Sequence, residues 1–285
     1  MDDLFNIDLG ALAYRAAMTA TWVKVTVFFA TWLILWLPVA IPLAGVLKWN
    51  PTQPPTGEQK VPILASLYAI APVIMALAVW VEGTAWSDYG LTFQPQTFTS
   101  LGLGLALGVF SLSLVFSLES LCGWIEWHFK NFKRLWSLWL PILGLGLWIS
   151  WTEELIFRGF VLSELASDNS LVGAAIASSL IFALSHLLWE RKQGLPQLPG
   201  LTLMGLVLVV ARWVDGGSIG LAWGLHAAWI FALTCLDSAQ LISYPKENAA
   251  WIVGMGGKPL VGIAALLYLL ATGVGLLGFG SQLLG

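Results

Sequence analysis

Long apolar segments recur along this chain, separated by short polar stretches, and they restrict its fold more than any other feature. A transmembrane α-helix needs about 20 predominantly apolar residues, and in lipid its backbone polar groups must be satisfied within the helix itself. Segments that meet or approach this length occupy residues 25–47, 61–81, 98–120, 141–165, 171–189, 199–214, 218–236 and 259–283. The sequence therefore predicts an all-α polytopic membrane protein with about eight transmembrane helices.

The composition supports this class and excludes others. Hydrophobic residues make up 58% of the chain and charged residues only 10%, whereas soluble domains carry about 25% charged residues. The net charge of −3 and the lack of a basic tract argue against nucleic-acid binding. Cys122 and Cys235 both fall in apolar runs, so we expect no disulfide scaffold. The lipid bilayer is thus the expected surrounding of this protein.

The chain shows no internal repeat and no linker long enough to separate two domains. We therefore expect a single transmembrane domain over residues 1–285. Residues 9–21 are mildly amphipathic and carry few charges, and we expect them to form a helix in the membrane interface.

The basic residues are distributed unevenly between the two sides of the predicted bundle. On the cytoplasmic side, loops of membrane proteins carry an excess of Lys and Arg. One side holds nine of them, which are Lys48, Lys60, Lys130, Lys133, Arg134, Arg191, Lys192, Lys246 and Lys258. The other side holds Arg15, Lys24 and Arg212. We expect the first side to be cytoplasmic, or stromal in a plastid.

The segment 141–165 contains Glu153-Glu154-x-x-x-Arg158 in its middle. Ionisable residues at this depth are expensive and usually functional. Glu154 and Arg158 are four residues apart, so they can pair on one helical face. Glu153 lies about 140° from Arg158 around a regular helix of 3.6 residues per turn. It is therefore left over, and a carboxylate without a cationic partner in an apolar setting suits a general base.

Two further candidates are histidines inside predicted spans. Phe182 and His186 lie four residues apart on one helical face, and His226 follows the glycines of 220–224. Each feature alone has a structural explanation, either a packed histidine or a buried ion pair. Burying this many titratable groups costs free energy and does not by itself stabilise the fold. Glu153, His186 and His226 together therefore favour a catalytic or transport site in a polar intramembrane cavity.

Together these motifs resemble those of the CPBP family, the CAAX-processing and bacteriocin-processing (Abi) membrane proteases. The resemblance covers residues 153–226 and implies a family-like core at about 98–236. It implies that Glu153 is the catalytic base, that His186 helps it to activate a water, and that His226 stabilises the oxyanion. Glu154, Arg158 and Phe182 would support this geometry. The implied reaction is hydrolysis of a peptide bond in a membrane-associated peptide or protein near the cytoplasmic face.

This chain departs from the family pattern at one position. An Asn or Asp is expected four residues after His226, and Ile230 stands there. A catalytically weakened CPBP-like scaffold or assembly factor is therefore the main alternative, and a small proton-coupled transporter is a third. We expect no cofactor; the alternative is a zinc ion held by Glu153, His186 and His226.

The expected location is a multi-pass position in the plasma membrane or in a thylakoid or plastid membrane. The second choice follows from residues 224–230, Gly-Leu-His-Ala-Ala-Trp-Ile, which are similar to a cyanobacterial and plastid branch of the family.

Overall fold

The computed structural model describes residues 19–50, 52–53, 55–245, 249–254 and 258–283. The interfacial helix predicted at 9–21 lies outside the described residues, apart from its last three positions. Its existence stays a prediction.

The described chain is almost entirely helical. The α-helices are α1 Thr21–Val46, α2 Gly57–Glu82, α3 Pro95–Leu121, α4 Phe132–Glu153, α5 Leu162–Asp168, α6 Leu171–Ser185, α7 Leu187–Glu190, α8 Leu198–Val214, α9 Gly220–Ser238, α10 Ala250–Val253 and α11 Ile263–Leu283. A π-helix at Glu154–Val161 joins α4 to α5. Short 3₁₀ turns lie at Trp86–Tyr89, Phe129–Asn131, Arg191–Gln197 and Pro259–Val261. Two strands, β1 Glu126–Trp127 and β2 Ile242–Ser243, complete the regular structure.

Among the described residues, seven helical stretches are long and apolar enough to cross a membrane, and a shorter apolar helix lies at Ile263–Gly278. The shorter helix occupies the position of the eighth predicted span. The prediction of an all-α polytopic membrane protein is therefore confirmed.

The fourth span is longer than the sequence suggested. Helical structure continues from Phe132 to Asp168, whereas the predicted span covers residues 141–165. Lys133 and Arg134 lie in the first turn of α4 instead and are exposed. Lys and Arg are good helix formers, and their long stems can carry the charge out of the apolar layer. Polarity alone therefore marked the wrong boundary.

A two-stranded ribbon connects two loops at one end of the bundle. β1 and β2 pair antiparallel, with Glu126 opposite Ser243 and Trp127 opposite Ile242. The strands are too short to produce the alternating pattern that identifies a strand in sequence. The ribbon holds the chain after α3 against the chain after α9.

Helices α3 and α9 run parallel and pack closely through glycines. A Cβ added at Gly104 would lie 2.5 Å from the carbonyl oxygen of Leu221, and one at Gly224 would lie 2.2 Å from that of Leu101. Further along, a Cβ at Gly108 would lie 2.5 Å from the Cβ of Ala228. Small residues allow such backbone contact between membrane helices. This contact fixes α9, which carries His226.

Gly224→Ala should therefore lower the stability of the protein by about 1–3 kcal/mol, the usual cost of overpacking a tight interface. The new methyl group meets backbone that can move only if the two helices separate. Thermal unfolding in detergent measures the effect. Gly102→Ala is the matched control, because a Cβ there meets nothing within 4 Å. Equal melting temperatures for the two variants would contradict the proposed contact.

The two ends of the bundle differ in charge. At one end, Lys24 binds Glu82 at 2.6 Å and Glu164 at 3.2 Å. Nearby, burial raises the pKa of Tyr89, which donates a hydrogen bond to Glu164. At the opposite end lie most of the described basic residues, and we call this end the basic face. It carries Lys48, Lys60, Lys130, Lys133, Arg134, Lys192 and Lys258.

Candidate active site

A cavity of about 900 Å³ opens among the helices. Its walls are mainly aromatic and aliphatic, and Lys60, Glu190 and Gln197 of the basic face lie at its edge. Glu153, His186 and His226 all line it, although they come from three different helical segments. The sequence-based expectation that these three side chains face one cavity agrees with this placement. Their catalytic roles stay a prediction.

The two glutamates differ sharply in their surroundings. Glu154 is fully buried and its Oε1 accepts a hydrogen bond from Nη1 of Arg158 at 3.0 Å. The predicted ion pair is therefore present. Glu153, the last residue of α4, is 7% exposed and borders the cavity. One carboxylate is thus structural and the other is accessible.

The backbone at this point is not the regular α-helix that the sequence argument assumed. Glu154–Val161 is π-helical, so the angle of about 140° between Glu153 and Arg158, which rests on 3.6 residues per turn, does not hold. Such π-turns are rare and occur often at functional sites. The two glutamates nevertheless differ, because Arg158 pairs with Glu154 and the hydroxyl of Tyr68 binds Glu153.

Arg158 is held from several directions. Its Nη2 donates a hydrogen bond to the carbonyl oxygen of Gly205 at 3.2 Å. Its guanidinium carbon lies 4.3 Å from the centre of the Phe182 ring, which is a cation–π contact. The Phe182 ring also packs against His186 and His226, with centroid distances of 4.8 and 5.9 Å. Phe182 therefore contacts three of the polar residues of the site.

His226 connects the two glutamates. Its Nδ1 lies 2.8 Å from Oε1 of Glu154 and its Nε2 lies 3.6 Å from Oε2 of Glu153. The contact with Glu154 could not be predicted from spacing along one helix, because the two residues are 72 positions apart. Since a carboxylate only accepts, Nδ1 carries a proton that it donates to Glu154. This bond directs Nε2 towards Glu153.

Tyr68 of α2 is a site residue that the sequence argument missed. Its hydroxyl donates a short hydrogen bond to Oε1 of Glu153, and the ring of Trp32 stacks beside it at 6.5 Å. Among the described residues no Lys or Arg pairs with Glu153, but Glu153 is not without contacts. A lone tyrosine in an apolar span was the available signal, because a buried phenol usually finds a polar partner.

His186 follows the last residue of α6 and is partly exposed. Its Nδ1 lies 2.9 Å from the carbonyl oxygen of Phe182. A carbonyl only accepts, so Nδ1 carries the proton and, in a neutral ring, Nε2 is an acceptor. His186 therefore offers a basic nitrogen at the cavity that Glu153 also borders.

Ile230 and Glu119 also line the cavity. Ile230 lines the cavity with an apolar side chain, as the departure from the family pattern suggested. Glu119 is the second of these residues. It is 5% exposed and lines the cavity with Leu112 and Phe116, because residues seven and three positions before it share its helical face.

A zinc ion held by Glu153, His186 and His226 was the alternative to a site without a cofactor. Within the described ranges, no three His, Cys, Asp or Glu side chains are grouped at the spacing of metal ligands. His226 also has one ring nitrogen committed to Glu154. The zinc alternative stays untested, and no chemistry below depends on it.

Residues 134–232 match a family model described as "Type II CAAX prenyl endopeptidase Rce1-like". No curated protein and no solved structure matches the chain. The matched segment contains Glu153, His186 and His226, and it agrees with the resemblance to the CPBP family that the motifs suggested. The match supports a CAAX-type intramembrane protease fold in an integral, multi-pass membrane protein.

Proposed function

Starting from this family match, we propose that the chain is an intramembrane endopeptidase. It hydrolyses a peptide bond of a membrane-associated peptide or protein, and Glu153 is the base. The observation that carries the proposal is the placement of Glu153 and two histidines on one mostly apolar cavity of about 900 Å³. Sites that bind organic ligands are typically concave, mostly apolar and contain a few convergent polar groups.

The reaction begins with a water held between Glu153 and Nε2 of His186. Glu153 takes a proton from the water while the water oxygen attacks the carbonyl carbon of the substrate. The C–N bond then breaks, and the proton passes to the leaving amine. A general base placed in this way contributes about 10²–10⁴-fold to the rate.

The negative charge on the tetrahedral intermediate needs hydrogen-bond donors. His226 is one candidate, because Nδ1 is anchored on Glu154 and Nε2 faces the cavity beside Glu153. For Nε2 to donate as well, the ring must carry a second proton, and its charge and that of Arg158 then balance the two glutamates. Such balance lowers the cost of keeping the four groups buried.

Tyr68 supplies the second donor. It replaces the Asn or Asp that the family pattern has at the position of Ile230. Its hydroxyl is a donor, borders the cavity and already contacts Glu153. When Glu153 takes up a proton, it becomes a weaker hydrogen-bond acceptor for Tyr68. The Tyr68 hydroxyl can then donate to the substrate oxygen instead. This account explains how a protein with Ile230 can remain active.

Tyr68→Phe should therefore lower kcat by about 10²-fold, within the range found for removing one oxyanion donor. Ile230→Asn should change the wild-type rate little, but it should restore part of the rate in the Tyr68→Phe background. Cleavage of a fluorogenic membrane-soluble peptide in nanodiscs measures both effects. A large gain from Ile230→Asn in the wild-type background would show instead that Tyr68 does not fill this role.

A scaffold without catalytic turnover is the second candidate, and Ile230 is the observation that favours it. In that case Ile230→Asn would bury an amide without a partner, at a cost of about 1–3 kcal/mol, and no variant would cleave peptide. If any variant cleaves peptide and this cleavage is lost when Glu153 is replaced, the scaffold is excluded.

We further propose that substrates enter from the basic face and that this face is cytoplasmic. The excess of Lys and Arg there supports this orientation, and Lys60 and Glu190 border the cavity on that side. The apolar walls suit a lipid-modified or strongly apolar peptide.

A further inference from the structure

Glu119 is a cavity carboxylate that the proposed mechanism does not use. It is 5% exposed, and its Oε2 finds no hydrogen-bond partner among the described residues. The contrast with Glu190, at the edge of the same cavity, is clear. Glu190 lies 3.0 Å from Lys258 and 4.0 Å from Lys60. A buried carboxylate oxygen without a partner is costly, so Glu119 calls for a group that the described residues do not provide.

The surroundings of Glu119 attract positive charge. It lies in the last turn of α3, and the C-terminal end of a helix carries partial negative charge. Asp237 occupies the last turn of the parallel helix α9. Burial raises the pKa of Tyr244 to about 12, and the nearby charges of Glu119 and Asp237 add to this effect. Two helix ends and two acidic side chains thus favour a cation at this end of the cavity.

We propose that Glu119 forms a subsite for a basic side chain, lysine or arginine, of the peptide that occupies the cavity. The cationic group would enter from the basic face and bind Oε2, while apolar parts of the peptide lie against the cavity walls. This inference rests on the proposed protease function, because it assigns the chemical class of that enzyme's substrate.

The helix register gives the distance from the subsite to the reacting groups. Gly108 of α3 lies level with Ala228 of α9, so Glu119 stands 11 residues beyond that level and His226 two residues before it. Thirteen residues of helix at 1.5 Å each span about 20 Å along the axes. An extended peptide covers about 3.3–3.6 Å per residue. The basic residue should therefore lie about six positions from the scissile bond.

The test uses an apolar fluorescent peptide in which a single norleucine is replaced by lysine, one position at a time. Full-length protein in phosphatidylglycerol nanodiscs is compared with Glu119→Gln, and with Glu126→Gln as an exposed carboxylate beyond the same end of α3. We expect wild type to favour one lysine position, about six residues from the cut, by about 10- to 100-fold in kcat/KM, the range of a charge-assisted hydrogen bond. Glu119→Gln should bring this ratio close to one, and Glu126→Gln should keep it.

Peptide binding to the Glu153→Gln protein, measured by fluorescence anisotropy, separates this inference from the proposed function. Lysine-dependent binding that disappears in Glu153→Gln/Glu119→Gln supports the subsite even if no variant cleaves. Cleavage that depends on Glu153 but is indifferent to lysine at every position overturns the subsite and leaves the protease standing. Lysine-dependent binding that vanishes when phosphatidylethanolamine is added to the nanodiscs would assign Glu119 to a lipid ammonium, and would overturn the peptide assignment.

Discussion

Glu153→Gln should abolish peptide hydrolysis, with kcat/KM falling by about 10⁴-fold. Glutamine keeps the size and a hydrogen bond from Tyr68, but it cannot accept the proton of the attacking water, and general-base catalysis contributes up to about 10⁴-fold. The measurement is cleavage of a fluorogenic peptide by purified protein in nanodiscs. Because the substitution removes charge without changing volume, we expect the folded state to persist.

Glu58→Gln is the matched control for this prediction, since Glu58 is an exposed carboxylate at the start of α2. It should cleave at the wild-type rate. If Glu153→Gln cleaves as fast as the control, Glu153 is not the base. If neither wild type nor control cleaves any peptide, the scaffold and the proton-coupled transporter remain, and proton uptake by proteoliposomes then separates these two.

Arg158→Ala should prevent accumulation of folded protein, with a loss of about 3–5 kcal/mol. The guanidinium is fully buried and binds Glu154, the Gly205 carbonyl oxygen and the Phe182 ring. Removing it leaves the Glu154 carboxylate buried without its cation, a cost that the apolar interior cannot offset. Yield and thermal unfolding in detergent measure the effect.

Two comparisons make this second prediction specific. Arg134→Ala removes an exposed arginine from α4 and should leave the unfolding temperature nearly unchanged. Replacing both partners, as Arg158→Met/Glu154→Leu, should recover part of the lost stability, because a buried ion pair can be exchanged for apolar groups at little cost. A stable, well-expressed Arg158→Ala protein would contradict the role assigned to this pair.

The sequence was most informative where a physical constraint acts locally. Twenty apolar residues in a row allow few structures other than a membrane helix, so the class and the approximate spans followed from segment length. Glu154 and Arg158 are four residues apart, and their pairing needed only helical geometry. Two histidines and an unpaired glutamate on predicted spans led us to expect one intramembrane site, which agrees with their placement on one cavity. The family motifs added the catalytic roles, which stay a prediction.

It was least informative where the outcome depends on a distant segment. Tyr68 reads as an ordinary residue of an apolar span, and only the packing of α2 beside α4 brings its hydroxyl to Glu153. The polar stretch before the fourth span looked like a loop, yet Lys133 and Arg134 extend α4. Polarity is a weak guide to helix boundaries when the membrane interface accepts long charged side chains.

By itself, then, the sequence determined the membrane class, the depth of the charged motif and the ion pair within it, because these depend on composition and on spacing along one helix. Only the tertiary structure decided that His226 binds Glu154 and that the Glu119 carboxylate turns into the cavity. The physical reason is the same in each case. A buried polar atom must find its partner in three dimensions, and the helix that brings the partner, or leaves it missing, is fixed by packing rather than by local sequence.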